Sequence, residues 1–382
     1  MKNRVDHIRR GPRHGSALTL CVILMFVLFS FLAFSIDTGY LSQARAELRR
    51  SADAAAMAGC WELYDQLESG NAPEGSHLPV RQVAASLALA NSVCNESPGL
   101  DTTADSQDVE IGYLADMRST NISQDASNPF FAVRVSLSKN ENQNGSVPFF
   151  FGRIFGRNSI DMQSDATAVL ARQIDGFRTP PIGAAGLNVL PFALDVDTWN
   201  ALATQDDDYA FDAISGSVVP GSDGMREVNL YPQGTGSPGN RGTVDIGGAN
   251  NSTNDIARQI IHGISAEDLA ALGQDLRLGS NGTLSLNGDT GISAGVKDEL
   301  ASIIGQKRII PIFSSVSGNG NNADYTIVKW VGVRILDVKL TGKMSGKKLV
   351  VQPAPMLARY GTYATSGTEW SEYLVSPVIL AQ

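Results

Sequence analysis

The sequence predicts an α+β protein carried on one N-terminal transmembrane helix, and three observations predict it. Residues 17–36 form an uncharged apolar run. Helical spacing continues beyond that run to about residue 68. Alternating strand patterns then mix with helical segments, and 38 Gly and 16 Pro mark frequent turns rather than a helical bundle. A length of 382 residues allows two or three domains, and an apolar share of 43% against 18% charged suffices for packed cores.

The run Ala17 to Ile36 holds only Thr19, Ser30 and Ser35 as polar residues. At 1.5 Å rise per residue it spans about 30 Å, the hydrocarbon thickness of a bilayer. A buried core helix would keep a polar face. A cleaved signal has a shorter apolar region, about 7–15 residues, and the small-x-small triplet Ala44-Arg45-Ala46 lies well past the run. The reading is an uncleaved anchor in the lipid bilayer. Lys2, Arg4, Arg9, Arg10 and Arg13 against Asp6 make residues 1–16 a basic cytoplasmic tail and put 37–382 on the far side. Val147 to Phe155 is apolar, but it is short and broken by Gly152 and Arg153, so it is no second span.

The formal charge is −9 although the tail is basic, so the body is acidic and repels phosphate; nucleic acid is not an expected partner. Four His and three Cys argue against zinc fingers, iron–sulfur clusters and His-rich metal sites, and no cofactor is expected. Cys21 lies in the span. Cys60 and Cys94 fall in an oxidising compartment, where a disulfide between them would contribute roughly 3 kcal/mol; the alternative is two unrelated buried thiols.

From Asp37 to Glu68 the small and apolar positions Leu41, Ala44, Leu48, Ala52, Ala55, Ala56, Gly59 and Leu63 recur at three- and four-residue spacing, with Arg45, Glu47, Arg49, Arg50 and Asp53 mostly opposite. No Pro interrupts 17–71, so one helix is expected, half in lipid and half outside. Its Ser51–Gly59 stretch is narrow and admits close helix approach. Gly39, Ala52, Ala55, Ala56 and Gly59 are therefore helix-packing candidates, either against the chain's own body or against copies and homologues.

The apolar span after a basic tail, Asp37-x-Gly39 and the Ala-rich run from Ala52 to Gly59 stand in register. Over about residues 13–62 the chain thereby resembles the Flp pilus-assembly TadE/TadG-like proteins. The resemblance implies a bacterial inner-membrane protein with a pilin-like leading helix, working in adhesive-fibre assembly beside other pilin-like proteins, with self-association open. Some TadG-like members also carry a von Willebrand A domain with an Asp-x-Ser-x-Ser metal motif, which this sequence does not contain. Type IV prepilins are cut after Gly with Glu five residues on; Gly11 and Gly15 are followed at that offset by Ser16 and Leu20, which argues against processing as a major pilin.

Beyond the leading helix, Leu78 to Val93 reads as a helix, and Val109–Tyr113, Phe131–Leu137 and, within a less regular Ser159–Arg172, Thr167–Leu170 as strands. A long helix followed by an antiparallel sheet, within residues 37–176, follows the pilin plan. Residues 177–186, with Pro180-Pro181, form the expected linker, and 187–382 a second α+β domain of unknown role. Within it a strand is expected over 188–194, mostly loop over 215–251, and helices over 252–262, from Ser265 to Gly273 with a capping box at Asp268, and over 295–304. Strands are expected over 309–313 and 325–340.

No enzyme chemistry emerges. Gly234-x-Gly236-x-x-Gly239 matches a dinucleotide fingerprint, but Pro232 and Pro238 deny it a strand and a helix, so it reads as loop. Asp206-Asp207-Asp208 has no EF-hand spacing, and Asn287-Gly288-Asp289 reads as a turn. On the far side of the membrane only His77 and His262 could serve a Ser nucleophile. The functional expectation is a membrane-anchored, pilin-like accessory component of a Tad/Flp-type pilus system, not an enzyme. The alternative is a membrane-tethered extracytoplasmic binding or hydrolytic protein.

Overall fold

The computed structural model describes residues 16–70, 77–119, 121–128, 130–231, 239–247, 252–364 and 371–381. Most of the basic tail and most of the Gly234–Gly239 motif lie outside the described residues.

Helix α1 (Ser16–Glu68) is a single element of 53 residues, about 80 Å long. Its first half stands free, with Leu24, Phe26, Phe31 and Phe34 exposed. Its second half lies on a body built from α2 (His77–Ala90) and the strands β1 (Val109–Leu114), β2 (Phe130–Lys139), β3 (Val147–Pro148), β4 (Ser159–Ile160) and β5 (Met162–Ala171). Strand β2 alternates as its sequence dictates. Phe131, Val133, Val135 and Leu137 face the helix core, while Phe130 and Ala132 face a smaller cluster on the other side. Ile111, Val133 and Ala168 stand opposite one another across β1, β2 and β5, all antiparallel.

The rest of the chain supplies β6 (Ile174–Phe177), β7 (Phe192–Asp195), α3 (Val196–Asn200), β8 (Tyr209–Asp212), β9 (Ser217–Pro220), β10 (Val228–Asn229), β11 (Arg241–Val244), α4 (Thr253–His262) and α5 (Ala266–Leu272). After these come β12 (Leu276–Arg277), β13 (Leu284–Asp289), α6 (Lys297–Ser302), β14 (Lys307–Ser317), β15 (Ala323–Lys339), β16 (Lys348–Pro353), β17 (Met356–Leu357), β18 (Gly361–Tyr363), β19 (Leu374–Val375) and β20 (Ile379–Leu380). The expected helix caps form: Ser252 accepts from the Asp255 amide, and Ser265 with Asp268 makes a reciprocal capping box ended by left-handed Gly273.

Strand β15 is the spine of this portion. It pairs with β14, with β13 at its start and with β16 at its end. Strand β13 continues to β11, β11 to β7, and β7 runs parallel to β14. The pairing therefore returns to β15, closing a five-strand ring in which each strand is paired on both sides. The ring encloses Tyr325. A Cβ on Gly242 would fall 2.0 Å from its hydroxyl oxygen, so only glycine leaves room for the ring. The Tyr325 hydroxyl donates to the Asp289 carbonyl at 3.2 Å.

Several sequence expectations change here. Asn287-Gly288-Asp289 is not a turn but the end of β13. A Cβ on Gly288 would lie 2.2 Å from the Thr243 carbonyl oxygen, so glycine serves the close approach of β11. The segment 215–251, expected to be mostly loop, also holds the short strands β9, β10 and β11 among its described residues, because ladder bonds to other strands keep them extended; 232–238 and 248–251 lie outside the described residues. Phe177, where the linker was expected to begin, ends β6, which pairs with β12 and β18. The chain's last strand returns to the first portion: β20 pairs with β5, setting Ile379 opposite Val169.

Candidate functional site at the membrane-exit helix

The second half of α1 buries one stripe. Ala44, Leu48, Ala52, Ala55, Ala56, Cys60 and Leu63 are at most 1% exposed, which decides between the two expected modes of packing. The stripe is covered by Val80, Ala84 and Ala88 of α2 and by β2 and β5. Gly59 marks the closest approach. A Cβ there would sit 3.1 Å from Val133 and 3.4 Å from Ala84. Ala52, Ala55, Ala56 and Gly59 therefore pack inside this chain, against its own body rather than on an open face. Small side chains let α2 and the sheet close on the helix from two sides. Gly39 differs: it is exposed, and no atom lies within 4 Å of a Cβ placed there.

The expected Cys60–Cys94 disulfide is also corrected, since both thiols are free. The Cys94 amide donates to Glu47 at 2.8 Å. Glu47 precedes Cys60 by thirteen residues of the same helix, about 20 Å, far beyond the roughly 4.4–6.8 Å Cα separation of a disulfide. Burial pushes the Cys60 thiol well above the usual range. A hydrogen bond with Cys94, together with burial, pushes the Tyr40 hydroxyl up to about 12. The bonds from the Cys94 amide and Gln43 hold Glu47 below the ordinary carboxylate value.

At the junction of span and body, Asp37 is 7% exposed and reaches across to the β3–β4 hairpin. Its carboxylate accepts from the backbone amides of Phe150 at 2.9 Å, Phe151 at 3.1 Å and Gly152 at 2.7 Å. These are the amides that open the single 3₁₀ turn Gly152–Phe155, which would otherwise lack acceptors. Tyr40, one turn further along α1, meets the Phe150 ring edge-on at 4.9 Å between centroids. The hairpin tip thus hangs beside the helix where the apolar run ends. In the sequence Asp37 stands in a motif without a visible partner, and the Val147–Phe155 run is only too short for a span. The available signal was the clustering of aromatic residues with Gly and Arg.

At its other end α1 meets the second portion along an open cleft of about 1160 Å³. Lys307 donates to Glu68 of α1 and, at 2.8 Å, to the Pro355 carbonyl. Burial lowers the Lys307 pKa, with Glu68 opposing it. Arg334 lies against the Phe211 ring and donates to the Gly305 carbonyl at 2.7 Å. The cleft's central cations are thus engaged by the protein itself, and the cleft acts as a seam between the portions.

The remaining candidates stay apart. Asp207 accepts from Ser222 at 2.6 Å and from the Asp223 and Gly224 amides, an ordinary turn. His77 begins α2 and His262 ends α4. Among the described residues no group of three or more His, Cys, Asp or Glu is placed to hold a metal ion.

This geometry defines a class: an α+β body carried on one helix that, among the described residues, is alone in being long and apolar enough to cross a membrane. Within that class, residues 15–62 match the model of the Flp pilus-assembly TadE/G-like family. The match takes in the apolar run, Asp37, Gly39 and the buried alanine stripe. No curated protein and no solved structure matches the chain.

Proposed function

We propose that the protein is a membrane-anchored accessory component of a Tad/Flp-type pilus assembly, non-catalytic and working through protein contacts in adherence. The observation that carries this reading is the family match over residues 15–62, which covers the span and the helix rooted in the body. A long helix laid on the antiparallel sheet β1–β2–β5 supports a pilin-like first portion. Orientation follows from the basic tail, with the N-terminus in the cytoplasm and the body in the periplasm, anchored in the inner membrane. The Ala-rich stripe is occupied internally, so contacts with pilus subunits or with a second copy fall to the exposed span and to Gly39. The second portion presents outward surfaces to partners.

The test exchanges Ala17–Ile36 for an unrelated apolar helix of equal length and leaves the body intact. After crosslinking in membranes, pilus-assembly subunits identified by mass spectrometry should co-purify with the native chain and be lost with the exchanged span. Absence of such subunits from the native chain, or their unchanged recovery after the exchange, overturns this assignment.

A further inference from the structure

The tip of the β3–β4 hairpin exposes a cluster of large apolar side chains, with Phe150 59%, Ile154 77% and Phe155 66% exposed. Exposed hydrophobic residues are common singly, but a contiguous aromatic and aliphatic cluster marks a contact surface. Its position names the contact. Asp37 is the residue after Ile36, about 1.5 Å of rise past the last residue of the apolar run. Three hydrogen bonds from the hairpin amides to Asp37 therefore hold the cluster level with the end of the span. A helix crossing the bilayer over 17–36 brings that height to the membrane–water interface.

We infer that this hairpin tip is a second membrane contact, an aromatic foot that inserts into the headgroup and upper acyl region of the leaflet from which α1 emerges. The inference rests on the reading of residues 17–36 as a transmembrane span. The chemistry fits a lipid surface. Aromatic rings favour the interface. Arg153 and Arg157, both exposed on the same tip, match headgroup phosphates while their stems lie along apolar surface. Unpaired amides would be costly where water is scarce, and Asp37 satisfies three of them. With two contacts instead of one, the body cannot swivel freely about the span, so its outward face keeps one orientation to the membrane.

The full-length chain, carrying benzoyl-phenylalanine at one position at a time, is reconstituted in vesicles of phosphatidylethanolamine and phosphatidylglycerol and irradiated. Adducts are identified by mass. The positions are Ile154 and Phe155 in the foot, Phe26 in the span, and Ile214 in the β8–β9 turn, which is 98% exposed. All are exposed sites, so the fold is retained. Lipid adducts are expected at 26, 154 and 155 and not at 214, and D37A should lose the adduct at 155 while keeping that at 26. Adducts at 26 without any at 154 and 155, or protein adducts in their place, overturn the foot. No adduct at 26 overturns the span itself and the foot with it, which separates the two failures.

Discussion

Asp268 is a residue at which burial and bonding act in opposite directions. Burial alone would raise its carboxyl pKa, but the Arg258 guanidinium and Ser265 outweigh that and hold it below the ordinary carboxylate value. Arg258 reaches both carboxylate oxygens, at 2.5 and 3.1 Å. The folded chain therefore binds this proton less readily than the unfolded chain. The stabilisation is complete above about pH 4, the unfolded value, and is lost as pH falls through the lower folded value. Asp268→Asn should cost about 1–2 kcal/mol at pH 7, and the gap to the native chain should close below about pH 4, both read by chemical denaturation in detergent. The cysteines make a second residue-scale prediction. With Cys60 fully buried and about 20 Å of helix between it and the Cys94 contact, reducing and non-reducing electrophoresis should give one mobility. Maleimide should label Cys94 in the folded chain and Cys60 only after denaturation.

Among the elements, α1 carries two different tasks in one continuous helix. Its first half exposes apolar side chains on all sides, as a lipid-facing helix does, whereas its second half buries a single stripe of Ala, Gly and Leu. Narrow side chains allow α2 and the sheet to approach together, so enlarging one is destabilising in proportion to how little room remains. Ala55→Leu should lower stability by about 1–3 kcal/mol through overpacking. Ala46→Leu, on the exposed side of the same helix, should change it by less than about 0.5 kcal/mol. Equal effects at the two positions would mean that the buried stripe does not pack as described. The β3–β4 hairpin is an element whose backbone bonding depends on another: without Asp37 the amides that open its 3₁₀ turn lose their acceptor.

For the whole molecule, the sheet of β1, β2 and β5 and the later strands are joined by more than the chain's passage from β5 to β6. Strand β20 returns from the second portion to the edge of the first sheet, and Lys307 holds Glu68 at the far end of α1. Deleting residues 377–382 removes that edge strand and exposes β5. Hydrogen exchange should then rise in β5 and β2 while β14 and β15, held in the closed ring, stay protected. Uniform loss of protection would instead mean that the portions unfold as one unit.

Much of the local structure was legible in the sequence for a physical reason: its determinants lie within a few residues of one another. The uncharged run, the three- and four-residue stripe over 41–63, the alternation in β2, and the Ser252 and Ser265 caps each state their own conformation. Tertiary structure alone decided what the stripe packs against, because small side chains are equally suited to a partner helix and to the chain's own body. It also decided the fates of Cys60 and Cys94, whose burial and separation depend on how α2 docks. Most of all it decided the role of Asp37, whose hydrogen-bond partners lie 113 to 115 residues away. The motif was visible from sequence, but its acceptor role was not, since backbone amides carry no side-chain signature. Ring closure through β7 and β14 and the return of β20 belong to the same class: they depend on strand edges meeting in space, which no periodicity encodes.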